Sequence, residues 1–504
     1  MRQQRVLPKI CVALGLPDVA TLLDHARREV LAGETFLEFR LDYLDEPHKG
    51  AEAIARFLER HPDCIILATC RRHHNHGRFN GSIEEQLQIL DLAVQRGAHA
   101  VDVEIETAEV AQDKLNIFRG RTFLIISYHN FETTPPLDPL VKRMQRVAAD
   151  AYKIVTTARK TSDTGRTLLA GKEHPKVPMV LLAMGELGFP SRVLSTNFGS
   201  IFTYAAPVAA EGTAAGQVSA RQLRHLYRVD RLTKTARVFG VIADPVRHSI
   251  SPAVHNRAFQ AKRVDAVYLP FLVAPPQLRD FFKFAEELPL AGFSVTIPHK
   301  QKVMRYLDSV DALSRRIGAV NTVWRKAGKW RGTNTDAAGV TIPLGRHLRL
   351  AGARVLVVGN GGAARGAAFA LSDAGAKVSI VGRNPDRARV LARMCHGELM
   401  SREQLATRRF DALVHCTPVG MFPNVQECFF EGEIPAGIVF DTVYNPIETE
   451  LIRRAKAQNA KTVAGIEMFI EQAVRQFEIF TGAAAPRAVM EKAALEALEE
   501  KPRH

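Results

Sequence analysis

At 504 residues the chain is too long for one hydrophobic core and calls for roughly two to four domains. Its 46% apolar and 24% charged residues exclude a disordered or fibrous polymer. A formal net charge of +15 admits nucleic acid, an anionic membrane surface or small anionic substrates. Lysines and arginines are dispersed, and no basic stretch interleaves with aromatics as a stacking groove needs, so small anions are favoured and neither nucleic acid nor membrane is expected as a partner. No apolar run reaches spanning length, and the opening MRQQRVLPKI has charge without an apolar h-region behind it. The six cysteines, Cys11, Cys64, Cys70, Cys395, Cys416 and Cys428, form no CxxC pair. They read as buried thiols of a reducing compartment, and a cytoplasmic location is expected.

From Pro8 to Ala206 eight short apolar runs follow one another: KICVAL, TFLEFRL, CIILATC, AVDVEI, TFLIISY, AYKIVTTA, PMVLLAM and VLSTNFGSIFTY. Stretches with helical periodicity, such as VATLLDHARREVLAG and GSIEEQLQILDLAVQRGA, separate most of them. Eight such alternations predict an α/β fold of the (β/α)8 type, a TIM barrel, with a doubly wound open sheet as the alternative. Charged and polar residues recur where barrel chemistry gathers. Glu38, Arg40 and Asp42 lie on the second run, Arg71 and Arg72 end the third, and Asp102 and Glu104 lie on the fourth. His129 ends the fifth, Lys153 sits inside the sixth, and Arg192 follows the seventh. A lysine between Tyr152 and Ile154 either snorkels to water from the sheet's end or is kept in a cleft as a neutral nucleophile. The loop histidines His73, His74 and His76 lack the helical i, i+4 spacing of a zinc site, so they read as part of a solvated lid and no metal is expected.

The polar, basic stretch RQLRHLYRVDRLTKTA, Arg221 to Ala236, reads as a closing helix and a linker. Beyond it the strand-like runs RVFGVIAD, AVYLPFLV and AGFSVTIP lead to RVLVVGNGGAARGAAFALSDAGAKVSIVGRN. There a buried strand runs into Gly359, Asn360, Gly361 and Gly362, and a helix is expected from about Ala363. Gly359 suits a tight turn, Gly361 lets the backbone approach a pyrophosphate, and Ala364 takes the third glycine's place in a Rossmann fingerprint. The second strand ends in Arg383 and Asn384, with Arg387 close behind, where an NAD site carries an acid. A guanidinium suits a 2′-phosphate, so NADP(H) is the expected cofactor.

Taken with HSISP, SVTIPHK, AVNT, GTNTDAAG, HCTPVGM, DTVYNP and GIEMFIEQAVRQFEIFTG, this half resembles the shikimate dehydrogenase family from about Arg237 to Gly482. The resemblance implies Lys300 and Asp336 as the catalytic pair and Ser249 and Ser251 as binders of the substrate carboxylate. It implies Thr296, Asn321, Tyr444 and Gln472 as further substrate contacts, and Thr417 and Gly465 beside the cofactor. The first half, through LEFRLDYL, ATCR, SYHNFETTP, DAYKIVTTA, MGELGFPSR and EGTAAGQ, resembles type I 3-dehydroquinate dehydratase from about Lys9 to Gln217. Lys153 then forms an imine with a ketone and His129 moves protons, while Glu38, Arg40, Arg71, Arg192 and Gln217 bind the substrate. Apolar burial and cations such as Arg40 are expected to lower the lysine toward a pKa of roughly 7 to 8.

Three departures stand out: RRHHNHGRFNGS puts Asn75 where the family has a glutamate and His76 for a glycine, and TAAGQ replaces a proline-containing closing loop. The expected division is a barrel over 1–228, a substrate-binding domain over 237–345, a Rossmann domain over 346–464 and C-terminal helices over 465–504. The implied function is two consecutive shikimate-pathway steps of aromatic amino acid biosynthesis, dehydration of 3-dehydroquinate and NADPH-dependent reduction of 3-dehydroshikimate. Three alternatives stay open: quinate preference in the second half, a Schiff-base aldolase in the first, or a basic nucleic-acid-binding or scaffold protein with one degenerate enzyme half.

Overall fold

The computed structural model describes residues 7–208, 213, 217–288 and 290–499. Its contacts divide into two compact units, one built from the chain up to Ala236 together with Phe271–Val273 and Arg279–Leu288, the other from the remainder.

The first unit is the expected barrel. Its strands are β1 (Ile10–Leu14), β2 (Phe36–Arg40), β3 (Ile65–Thr69), β4 (Ala100–Glu104), β5 (Phe123–His129), β6 (Ala151–Thr157), β7 (Met179–Met184) and β8 (Thr203–Ala205). They pair in parallel, from β7 back to β1 and on to β8, with Ile10 opposite Thr203. Between β7 and β8 the seam is held by Ile201 N–H donating to Met179 O at 2.9 Å and by a bridge from Met179 to Ser200. An open doubly wound sheet is thereby excluded.

Period-two alternation explains the interior. Phe36, Ile65, Leu67, Ala100, Ile125, Ala151, Val180, Leu182 and Phe202 pack into one buried cluster. Carried on toward the strands' carboxyl ends, the same parity brings in Glu38 and Arg40, Thr69 and Arg71, Asp102 and Glu104, Ser127 and His129, and Lys153. An apolar floor thus lies beneath a polar layer.

Two expected elements come out shorter. Of VLSTNFGSIFTY only the end is strand, because Phe189–Leu194 and Ser195–Phe198 are helical and Gly199, at φ 104°, reverses the chain before β8. Of the closing helix only the turn Gln222–Leu226 forms. Buried Leu223 anchors it, Arg224 pairs with Glu34 at 2.6 Å, and Arg228 at φ 55° ends it.

The second unit holds two sheets. One comprises β9 (Arg237–Ala243), β10 (Ala266–Leu272), β11 (Leu290–Val295), β12 (Ser309–Val310), β13 (Thr322–Lys326) and β14 (Lys329–Thr333), in the order β10-β9-β11-β13-β14-β12. The other is all parallel: β15 (Arg354–Val358), β16 (Lys377–Val381), β17 (Glu398–Leu399), β18 (Phe410–His415), β19 (Ala436–Asp441) and β20 (Lys461–Val463), ordered β17-β16-β15-β18-β19-β20. That order reverses between β15 and β18, where doubly wound sheets bind their ligands. The helix Gly465–Thr481 then packs on the first sheet, with Phe480 4.9 Å from Phe239 on β9. Among the described residues no helix is long and apolar enough to cross a membrane.

A β-carbon on Gly171, in the helix Thr161–Glu173, would lie 2.1 Å from the Phe198 carbonyl oxygen just ahead of β8. Gly171→Ala is therefore expected to cost about 1–3 kcal/mol, read as a lower midpoint in thermal melts followed by circular dichroism.

Candidate active sites

In the barrel, Lys153 is 3% exposed. Its Nζ donates to Asp102 Oδ2 at 2.7 Å and to the Tyr204 hydroxyl at 3.0 Å, with Glu38 Oε1 at 3.8 Å. The buried Asp102 also accepts from Ser127 Oγ at 2.6 Å and faces Arg71 at 3.8 Å. Burial works against its charge, yet Lys153 and Arg71 hold the carboxyl below its usual range. Glu38 accepts from Thr69 Oγ1 at 2.7 Å and from Tyr204 at 3.4 Å.

This corrects the expectation that cations surround the amine. Arg40 is clamped by Asp42 through bonds of 2.9 and 2.8 Å, and the charged groups within 4 Å of the Lys153 amine are the carboxylates of Asp102 and Glu38. A buried ion pair forms because a lone ammonium there would lack compensation.

His129 carries the opposite electrostatics. Burial first, then Arg71, Lys153, Arg40 and His76, hold its imidazole well below the usual range. It lies two residues beyond Ser127, which is opposite Lys153 in the β5–β6 register. Arg71 is 5% exposed, and its Nε and Nη2 make no hydrogen bond among the described residues. Such unmet donors are costly unless a ligand answers them. Arg192, on the helix Phe189–Leu194, is buried, which pushes it down to about 10. Gln217 lies 3.5 Å from Thr213 Oγ1, whereas Ala214 to Gly216 of the expected closing loop fall outside the described residues.

The loop after β3 folds back through His73 N–H to Phe79 O at 2.8 Å and Phe79 N–H to Arg71 O at 3.1 Å. His76 takes the left-handed conformation, φ 56°, that suits the family's glycine. A β-carbon on Gly77 would meet Arg71 O at 2.0 Å. The His76 ring packs on Phe131, 4.1 Å between centroids, while His73 and His74 pack on each other. Among the described residues no group of three or more His, Cys, Asp or Glu side chains gathers as a metal site.

In the second unit Lys300 Nζ donates to Asp336 Oδ2 at 2.5 Å. Asn321 Nδ2 donates to Asp336 Oδ1 at 2.7 Å and to Gln472 Oε1 at 3.2 Å, so three of the expected residues join through one amide. Tyr444 packs on Phe469, 5.2 Å between centroids and three positions before Gln472, and burial pushes its phenol up to about 12. Thr296 directly follows β11. Ser251 opens the helix Ser251–Ala261, and its N–H donates to Ser249 Oγ at 3.3 Å, placing two hydroxyls at a helix N-terminus that favours an anion.

The glycine turn adjoins this pair. Gly359 has φ 123°, and a β-carbon on Gly362 would lie 3.3 Å from Lys300 Cδ. The helix begins at Gly362, one residue ahead of the expected Ala363, and buried Ala364 packs inward. A β-carbon on Gly361 would meet nothing within 4 Å, which leaves room for a ligand. Asn360 Nδ2 donates to Asn384 O at 3.1 Å, and Asn384 caps the helix Pro385–Met394 by accepting from Arg387 N–H at 3.0 Å. Arg383 and Arg387 are exposed beside it. A β-carbon on Gly465 would lie 2.3 Å from Val443 O, so backbone packing demands that glycine.

Sequence reasoning gave no role to Tyr204 or Asp102. Both were within reach of the alternation rule, Tyr204 two positions after buried Phe202 and Asp102 two after Ala100.

Family models agree with both geometries. That of type I 3-dehydroquinase matches residues 10–234, the shikimate dehydrogenase substrate-binding domain 241–323, shikimate/quinate 5-dehydrogenase 344–419 and the shikimate 5′-dehydrogenase C-terminal domain 465–495. The chloroplastic bifunctional 3-dehydroquinate dehydratase/shikimate dehydrogenase of Arabidopsis thaliana is 35% identical over 95% of this chain and 83% of its own. The chain belongs to this bifunctional family. The NADP(+)-dependent shikimate dehydrogenase of Methanosarcina acetivorans is 41% identical over 52% of this chain and 99% of its own. A crystal structure of a shikimate dehydrogenase with NADP+ is 35% identical, covers 53% of this chain and 97% of its own, and gives a TM-score of 0.51.

A depressed imidazole stays neutral well below pH 6.5, so the His129 resonance, identified by its loss in His129→Gln, should not shift between pH 6 and 8 in NMR spectra.

Proposed function

We propose that the barrel dehydrates 3-dehydroquinate through an imine on Lys153 and that the second unit reduces the product with NADPH. The observation that carries the reading is a buried lysine, oriented by Asp102 and Tyr204, in the same polar layer as a neutral His129. Once deprotonated, the amine attacks the ketone carbon. The N–C bond forms and the carbonyl oxygen leaves as water. The iminium withdraws electrons, so His129 removes the adjacent proton. The β-hydroxyl then leaves as water with a proton returned by His129, and hydrolysis frees the enone and the lysine. Arg71, with its unmet donors, and Arg192 suit the substrate carboxylate, while Asn75 cannot act as a base.

In the second unit the Lys300–Asp336 pair passes a proton to the oxygen at the reacting carbon, while Asn321 and Gln472 hold neighbouring hydroxyls. Ser249 and Ser251 bind the carboxylate at a distance that fixes orientation. NADPH, when bound, supplies the hydride. The open space at Gly361, with Arg383 and Arg387 exposed at the end of β16, suits its pyrophosphate and 2′-phosphate. The cysteines are all free, which supports a reducing compartment such as the cytoplasm.

Incubation with 3-dehydroquinate alone should raise the enone absorbance, and added NADPH should consume it. No rise would overturn the barrel's role, and no consumption the second unit's. Faster NADP+-dependent oxidation of quinate than of shikimate would reassign the second substrate. Arg383→Ala is expected to raise the KM for NADPH about tenfold through one lost charge-assisted contact while leaving that for NADH unchanged, as steady-state kinetics would read.

A further inference from the structure

At the carboxyl end of β18 lies a buried polar chain that takes no part in the chemistry above. His415 stands opposite Asp441 in the β18–β19 register, and the two are 1% and 0% exposed. The His415 Nδ1 is 2.9 Å from Asp441 Oδ1, and its Nε2 is 2.5 Å from Thr417 Oγ1. Asp441 also accepts from Val443 N–H at 3.1 Å and from the Thr449 hydroxyl at 2.5 Å. Val419 N–H donates to Thr417 Oγ1 at 3.3 Å.

In the neutral ring the directions of these bonds follow from the tautomer. A carboxylate only accepts, so Asp441 then selects the tautomer with its proton on Nδ1. Nε2 then bears a lone pair, and Thr417 must give it the only hydrogen its hydroxyl has. Val419 N–H occupies one lone pair of that oxygen, so the hydroxyl has one acceptor position left and no donor.

That acceptor sits where the sheet binds ligands. Thr417 Cγ2 would lie 3.3 Å from a β-carbon on Gly359, at the β15–β18 reversal, and the adjacent Cys416 thiol feels the charges of Asp336 and Lys300. A phosphate oxygen cannot answer an acceptor, whereas a carboxamide N–H or a ribose hydroxyl can.

We propose that His415, locked by Asp441, is a positioning residue that presents the Thr417 hydroxyl as a hydrogen-bond acceptor to a donor on the nicotinamide–ribose half of the dinucleotide. This rests on the second unit being a dinucleotide-dependent dehydrogenase.

The test is the NADPH dissociation constant of the full chain, measured by fluorescence titration. Thr417→Val and His415→Phe should each weaken binding about five- to thirtyfold, as one lost hydrogen bond does. The double variant should be no weaker than either single one, since both remove the same contact. Thr417→Ser, and His415→Gln with an amide oxygen that can accept from Thr417, should keep most of the affinity. Unchanged dehydration of 3-dehydroquinate and an unchanged thermal melt would report an intact chain. Two donors are separable with the 3-acetylpyridine analogue of NADP+, which lacks the amide N–H. If Thr417→Val then costs nothing the amide is the donor, and if it costs as much as before the donor is a ribose hydroxyl. In NMR spectra of chain labelled with 15N-histidine, the signals lost in His415→Phe should be those of a neutral ring protonated on Nδ1. An imidazolium, a proton on Nε2, or an unchanged dissociation constant in His415→Phe would overturn the proposal. Failure of the unsubstituted chain to bind NADPH would overturn the dinucleotide reading and the proposal together.

Discussion

Lys153 and Asp102 meet 2.7 Å apart where water has almost no access, and the barrel's candidate site is arranged around that contact. Two buried charges of opposite sign tolerate each other, but removing either strands its partner at a cost of about 3–5 kcal/mol. The pair therefore constrains everything beside it. Ser127 must donate to Asp102, Thr69 must donate to Glu38, and Tyr204 must bridge the ammonium and the second carboxylate. In return the amine is held in one position, and burial together with the surrounding positive charge holds the His129 imidazole well below its usual range.

Both units solve the same geometric problem. Parallel strands aim consecutive side chains to opposite faces and finish at a common end, so polar residues that would be costly midway along the sheet are grouped at its carboxyl edge. In the barrel this produces a polar layer above an apolar floor. In the second unit, Lys300 follows the end of β11 and the glycine turn follows β15, and a β-carbon on Gly362 would lie 3.3 Å from the Lys300 side chain.

Much of this was legible in the sequence because buried parallel strands leave continuous apolar runs, and seven of the eight barrel strands were read directly from them. The eighth was blurred because only three of its residues are strand and helical turns occupy the first half of the same run. Residues on a single motif, such as Lys300 or Gly361, could be singled out as candidates, whereas their surroundings could not. Arg40 was expected to bear on the lysine, but it pairs with Asp42, two residues away, while the carboxylates of Asp102 and Glu38 face the amine. His415 and Asp441 are 26 positions apart and meet only because β18 and β19 are neighbours, a pairing with no local signature.

The proposed imine on Lys153 can be captured directly. Full-length protein should be reduced with borohydride in the presence of 3-dehydroquinate, digested and mapped by mass spectrometry. The substrate-derived mass should fall on the peptide bearing Lys153 and be absent from Lys153→Arg, which should not dehydrate the substrate. An adduct at another residue, or undiminished dehydration by Lys153→Arg, would contradict the account.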